Sequence, residues 1–169
     1  MLKASYAAVK AAAPSVTVVG GAIAFNDQSY VQGLFTFGGI AGSYDALSLH
    51  PYGPGQAPDA PDTGYYGFSQ AVENVASAMA QAGDGGRPIW ITEMGWSTNA
   101  VTEDMRAAFF RRAVGLVRGW QQVEQFDAFD MNQTDGHPDV GLITPQGSPT
   151  ASWSAYAQAI AEPTGGGAP

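Results

Sequence analysis

Two kinds of segment alternate along this chain, and the alternation limits the folds open to it. Residues 15–21 (Ser-Val-Thr-Val-Val-Gly-Gly), 44–49 (Tyr-Asp-Ala-Leu-Ser-Leu), 87–92 (Arg-Pro-Ile-Trp-Ile-Thr) and 126–131 (Phe-Asp-Ala-Phe-Asp-Met) are short, rich in β-branched or aromatic residues, and run into glycine or polar residues. These are strand signals. Between them lie segments with helical spacing. Residues 2–13 are stopped by Pro14, and a run from Asp27 or Ser29 to about Phe37 is ended by Gly38 and Gly39. Residues 67–82 place Phe68, Ala71, Val72, Val75, Ala78 and Met79 on one face. Thr102 caps a helix with Glu103 and Asp104 in its first turn, and residues 151–161 form the last. A helix followed by four strand–helix units predicts an α/β fold with a parallel sheet and right-handed crossovers. The strands are expected near 16–20, 44–49, 87–92 and 125–131. Residues 1–161 form one domain, and 162–169 read as a flexible Gly/Pro tail.

Composition narrows the partners. With Lys and Arg totalling 7 against 15 Asp and Glu, the net charge is −8, and no basic cluster exists to neutralise phosphates. Nucleic acid and anionic membrane are therefore excluded as expected partners. No apolar run approaches the roughly 20 residues of a membrane-spanning helix, and the first ten residues lack the apolar core and cleavage site of a signal peptide. There are no cysteines, so disulfides and thiolate metal sites are excluded. His50 and His137 have no ligand spacing, so no metal and no cofactor are expected.

The unusual polar residues gather where strands end: Asn26, His50, Tyr52, Glu93, Asn132, Asp135 and His137. Sites in parallel α/β sheets form at the C-terminal strand ends. Glu93 stands out because Ile89, Trp90 and Ile91 bury its approach while Gly95 and Trp96 shape the bend behind it. An acid flanked by two tryptophans suits a sugar, whose C–H faces stack on aromatic rings. Asp59 and Asp62 read as solvated turn residues.

Three segments carry a family resemblance. Residues 10–21 (Lys-Ala-Ala-Ala-Pro-Ser-Val-Thr-Val-Val-Gly-Gly), 44–52 (Tyr-Asp-Ala-Leu-Ser-Leu-His-Pro-Tyr) and 87–97 (Arg-Pro-Ile-Trp-Ile-Thr-Glu-Met-Gly-Trp-Ser) resemble the second half of a clan A glycoside hydrolase. The likeness is to strands five to eight of its (β/α)8 barrel, in the β-xylosidase/iduronidase-like or cellulase-like branches. Residues 140–149 (Val-Gly-Leu-Ile-Thr-Pro-Gln-Gly-Ser-Pro) fit the same pattern as a hairpin before the final helix. The resemblance spans about residues 2–161. It implies that Glu93 is the nucleophile of a retaining β-glycosidase, with His50 and Tyr52 positioning it and lining the sugar subsite. Trp96 becomes a subsite wall, and Asn132 joins the substrate-binding residues. There are two departures. The family's tryptophan at the end of strand eight is replaced by Phe129-Asp130-Met131-Asn132, and its acid/base glutamate, at the end of strand four, has no counterpart in this chain.

Half a barrel leaves two strand edges and an inner face, expected to include Ala46, Ser48, Ile89 and Ile91, without cover. A second copy, closing one eight-stranded barrel, or another chain carrying the first half is therefore expected. The function reading is a glycoside hydrolase half-barrel acting on an oligo- or polysaccharide. Its alternatives are a catalytically inactive carbohydrate-binding module and an assembly fragment without ligand. Asp130 and Asp135 are the acids within the chain that could approach Glu93.

Overall fold

The computed structural model describes residues 1–25, 27–61, 67–134 and 136–163. Asn26, Asp62, Asp135 and residues 164–169 of the expected tail lie outside them. The elements run α1 (Leu2–Ala12), β1 (Val19–Ala24), α2 (Gln28–Thr36), β2 (Ala46–His50), α3 (Phe68–Gln81), β3 (Ile89–Met94), α4 (Glu103–Gly119), β4 (Val123–Ala128) and α5 (Ala151–Ala161). The four strands form one sheet in the order β1-β2-β3-β4, and every pairing is parallel. This is the α/β half-barrel arrangement of successive βα units.

Helix starts follow the capping residues. Asp27 Oδ1 accepts from the Tyr30 amide at 2.9 Å and from Ser29 Oγ at 2.8 Å, so the aspartate, not the serine, caps α2. Thr102 and Thr150 cap α4 and α5 through the amides of Met105 and Trp153. Strand limits differ from expectation at both edges of the sheet. β1 begins at Val19 rather than Val16, and β4 spans 123–128 rather than 125–131. Edge strands have one neighbour to fix their register, and β3 with β4 slips twice, between Ile89 and Trp90 and between Ile91 and Met94. Beyond β4 the chain bridges Asn132 to Ile143 and Ile143 to Pro149, the second antiparallel, which is the expected hairpin.

The core lies between the sheet and its helices. Leu47, Leu49, Ile89, Ile91 and Met94 join Val75 and Met79 of α3 and Phe110 and Ala113 of α4 in one buried cluster. Ile89 and Ile91 are therefore on the helix-facing side, both fully buried, and not on the open inner face. The open face of β3 carries Trp90 and Thr92 instead, both half-buried, because strand side chains alternate. Ala46 and Ser48 are also buried within this chain, so the inner face is better covered at β2 than the sequence implied.

A buried cation holds the last helix in place. Arg106 of α4 is fully buried; it donates to Ser152 Oγ of α5 at 2.9 Å and to the Gly141 carbonyl at 3.1 Å, and pairs with Glu103 at 2.8 Å. Burial lowers its pKa against the pull of Glu103, yet a guanidinium stays charged at neutral pH. Arg106→Leu removes the guanidinium's bonds to Ser152, Asp139 and Gly141 and its pair with Glu103, leaving the Gly141 carbonyl to Gln133 Nε2. A loss of about 2–4 kcal/mol in unfolding free energy is expected by urea titration, discounted because Glu103 keeps a third of its side chain in water.

Candidate active site

Two strand ends converge on one carboxylate. β2 ends at His50, and the chain continues through Pro51 to Tyr52; β3 delivers Thr92 and Glu93 in succession. The register slip between Ile91 and Met94 lets both consecutive residues reach His50. Tyr52 donates its hydroxyl to Glu93 Oε2 at 3.0 Å, and His50 Nδ1 lies 3.4 Å from the same oxygen. The Glu93 side chain keeps 39% of its surface exposed. Both contacts hold the carboxylate by the same oxygen. Burial, followed by the charge and hydrogen bond of Glu93, pushes the Tyr52 hydroxyl well above its ordinary pKa. Tyr52 therefore remains a protonated donor across the physiological range.

The turn behind Glu93 depends on close backbone approach. A Cβ on Gly95 would lie 2.1 Å from the Phe129 carbonyl oxygen. Met94 O accepts from the Phe129 amide at 2.8 Å, so the ends of β3 and β4 are clamped together at this point. Only a residue without a side chain fits.

The sequence-selected residues separate into those the fold brings together and those it does not. His50 and Tyr52 meet at Glu93. Trp96 does not serve as a subsite wall: it is 1% exposed, packs edge-on against Phe109 and Phe110, and donates Nε1 to the Gln56 carbonyl at 2.8 Å. The bend at Gly95 turns it toward the helices, where it pins the loop after β2. Asn132 closes its own turn, its carboxamide oxygen accepting from the Thr134 amide at 2.8 Å and hydroxyl at 2.5 Å. Asp59, expected as a solvated turn residue, pairs on the surface with Arg112 at 2.6 Å. Among the described residues, no group of three or more His, Cys, Asp or Glu could hold a metal, and no helix is long and apolar enough to cross a membrane.

Further aromatic residues pack around Tyr52, the donor to the carboxylate. Phe25, at the end of β1, lies 6.5 Å from the Tyr52 ring, and Phe129 lies 6.4 Å from it on the other side. His137 meets Phe129 edge-on at 5.6 Å. Phe25 is held at φ 60° and Ala22 at φ 67°, a left-handed conformation that costs a residue with a side chain roughly 1–3 kcal/mol. The Phe25 amide donates to the His50 carbonyl at 2.9 Å, which helps fix it there. Its only sequence signal is its place just after a strand, the same place Tyr52 holds after β2. Ser48 and Thr92, hydroxyls inside strands, gave no signal of a site at all.

A parallel half-barrel with a hydrogen-bonded carboxylate at a strand end is the architecture of a glycosidase barrel. The sequence profile of the glycosyl hydrolase catalytic core matches residues 3–156, and the chain belongs to that family. Among solved structures, a family 39 glycoside hydrolase from Bacteroides cellulosilyticus WH2 superposes with a TM-score of 0.73 at 21% identity, over 94% of this chain and 36% of that one. A monomeric β-xylosidase from Caulobacter crescentus CB15 gives 0.65 at 23% identity, over 94% and 36%. A family 128 endo-β-1,3-glucanase from Amycolatopsis mediterranei gives 0.62 at 18% identity, over 91% and 62%. A further structure of that glucanase is a complex with laminarihexaose. These likenesses show the fold, and the chain spans about a third of the first two relatives. No curated protein matches it.

Gly95→Ala must push the Phe129 carbonyl away and separate the ends of β3 and β4. Overpacking of this kind costs about 1–3 kcal/mol. The melting temperature is expected to fall by about 2–4 °C per kcal/mol, with backbone amide shifts at 93–96 and 128–130 in a heteronuclear spectrum. An unshifted melt would show that the two backbones are free to part.

Proposed function

We propose that this chain carries the nucleophile of a retaining β-glycosidase that hydrolyses O-glycosidic bonds in an oligo- or polysaccharide. The observation that supports it most is the anchoring of Glu93 at a strand end, where Tyr52 and His50 both address Oε2 of a partly exposed carboxylate. In this reading Oε1 attacks the anomeric carbon, the glycosidic bond breaks, and a glycosyl-enzyme forms that water then hydrolyses. Phe25, Tyr52 and Phe129 offer ring edges and faces to the sugar in place of Trp96.

Retention needs a second carboxyl group roughly 5–5.5 Å away, across the bond. Asp130 follows β4, the strand beside the one that carries Glu93, so a carboxyl there approaches from the nucleophile's side rather than from across the barrel. The general acid therefore comes from the polypeptide that covers the β1 and β4 edges, a complementary half-barrel or a second copy of this chain. A second reading, a carbohydrate-binding module without catalysis, draws on that same position of Asp130.

Two measurements test the proposal. Light scattering of the pure chain should give a particle heavier than the 17.5 kDa monomer, since uncovered strand edges favour association; a cooperative, monodisperse monomer would contradict closure. A positioned acid typically contributes ~10²–10⁴-fold, so natural oligosaccharides should turn over poorly with this chain alone. A dinitrophenyl glycoside, whose leaving group needs no acid, should react slowly, and Glu93→Gln should abolish that reaction. Adding a polypeptide bearing the first four strands should restore activity on natural substrates. Binding of sugar without turnover of the activated glycoside would favour the non-catalytic module.

A further inference from the structure

The contacts behind Glu93 continue into the sheet. His50 Nε2 lies 2.8 Å from Thr92 Oγ1, and Thr92 Oγ1 lies 2.6 Å from Ser48 Oγ. Ser48 is only 4% exposed. Four groups thus stand in line: Ser48 hydroxyl, Thr92 hydroxyl, the two nitrogens of His50, and Glu93 Oε2. A neutral imidazole carries one proton, so one ring nitrogen donates and the other accepts. Two directions satisfy the hydroxyls equally well. In the first, Ser48 donates to Thr92, Thr92 donates to Nε2, and Nδ1–H faces Glu93. In the second, Nε2–H donates to Thr92, Thr92 donates to Ser48, and the bare lone pair of Nδ1 faces a carboxylate oxygen 3.4 Å away. The second sets two electron-rich atoms against each other in a half-buried site, and the first sets a donor against an anion.

We propose that Thr92, backed by Ser48, is a positioning residue that holds the His50 ring against Glu93, where the carboxylate selects the Nδ1–H tautomer; a ring released from Thr92 swings away and reverts to a mixture containing Nε2–H. The inference rests on the reading of Glu93 as the ionised carboxylate of the site. Thr92 acts through His50 and does not touch the substrate. It is well placed to do so. It precedes the nucleophile in sequence, yet the alternation of β3 and the slip beyond Ile91 place its hydroxyl beneath the His50 ring. The hydroxyl pair is also adaptable. When the imidazole takes up a second proton, Thr92 and Ser48 turn round, and Thr92 accepts from Nε2–H. The ring therefore keeps a partner in both charge states and need not move.

The test is the tautomer of His50 in the full-length chain, read from long-range ¹H–¹⁵N spectra of labelled protein at about pH 8.5, two units above an ordinary imidazole. The wild type should show Nδ1 protonated and Nε2 bare. Thr92→Val should bring in the Nε2–H form, and Thr92→Ser should restore the wild-type pattern. Glu93→Gln should also mix the tautomers, because a neutral amide no longer selects the direction. An Nε2–H tautomer in the wild type, or a Thr92→Val spectrum identical to wild type, overturns the proposal. Should Thr92→Val fail to fold, Thr92→Ala, which also removes the hydroxyl, decides it by the same reading. With the dinitrophenyl glycoside, Thr92→Val should lower kcat about 10-fold with KM unchanged, and Thr92→Ser should recover it. If no form of the chain turns over that substrate, the nucleophile reading fails, while the tautomer spectra still decide the role of Thr92.

Discussion

The alternation of β3 governs the site. Ile89 and Ile91 are fully buried on the helix side, in the same cluster as Val75, Met79, Phe110 and Ala113. Burying a branched aliphatic side chain is worth about 1.5–3 kcal/mol, and a slip of one residue would move both isoleucines into the open face. That cost fixes Thr92 on the inner side. The break in register before Met94 then carries Glu93 to the same side as Thr92, and the close passage of Gly95 beneath the Phe129 carbonyl ends the strand. The orientation of the carboxylate is thus a consequence of packing on the far face of the sheet.

Around that carboxylate the protein uses donors of different character. Tyr52 is a neutral donor whose proton is secured by burial and by the anion it serves. His50 is a donor whose proton can sit on either nitrogen; the carboxylate favours Nδ1–H, and the hydroxyls of Thr92 and Ser48 hold the ring there. Both contacts fall on a single oxygen of Glu93. The left-handed backbone at Ala22 and Phe25 follows the same logic: stability is given up at the end of β1 to bring an aromatic ring beside Tyr52.

Much of this was legible residue by residue. The strand–helix alternation gave the parallel sheet, the threonine and aspartate caps gave the helix starts, and the run Ile-Trp-Ile-Thr-Glu gave the acid at a strand end. Trp96 was misread because a tryptophan near an acid looks the same whether it faces sugar or core; the bend at Gly95 decides, and it sends the ring among Phe68, Phe109 and Phe110. Asn132 shows how an asparagine after a strand can serve a turn, its carboxamide oxygen accepting from Thr134. Phe25 and Thr92 were passed over because nothing local distinguishes them from ordinary strand and loop residues, and Ser48 was read only as part of the inner face.

The sequence by itself determined the periodicities: which segments alternate every second residue, which repeat at helical spacing, and which polar residues fall at the strand ends. Those are local properties, set by side-chain volume, branching and capping chemistry within a few positions. Only the tertiary structure decided which of those residues meet. His50 and Glu93 are separated by β3's approach and the whole of α3, and their contact depends on strand register. Register is fixed by long-range packing of isoleucine and leucine against helices, and by the room a single glycine leaves for a carbonyl. Neither can be read from the neighbours of any one residue.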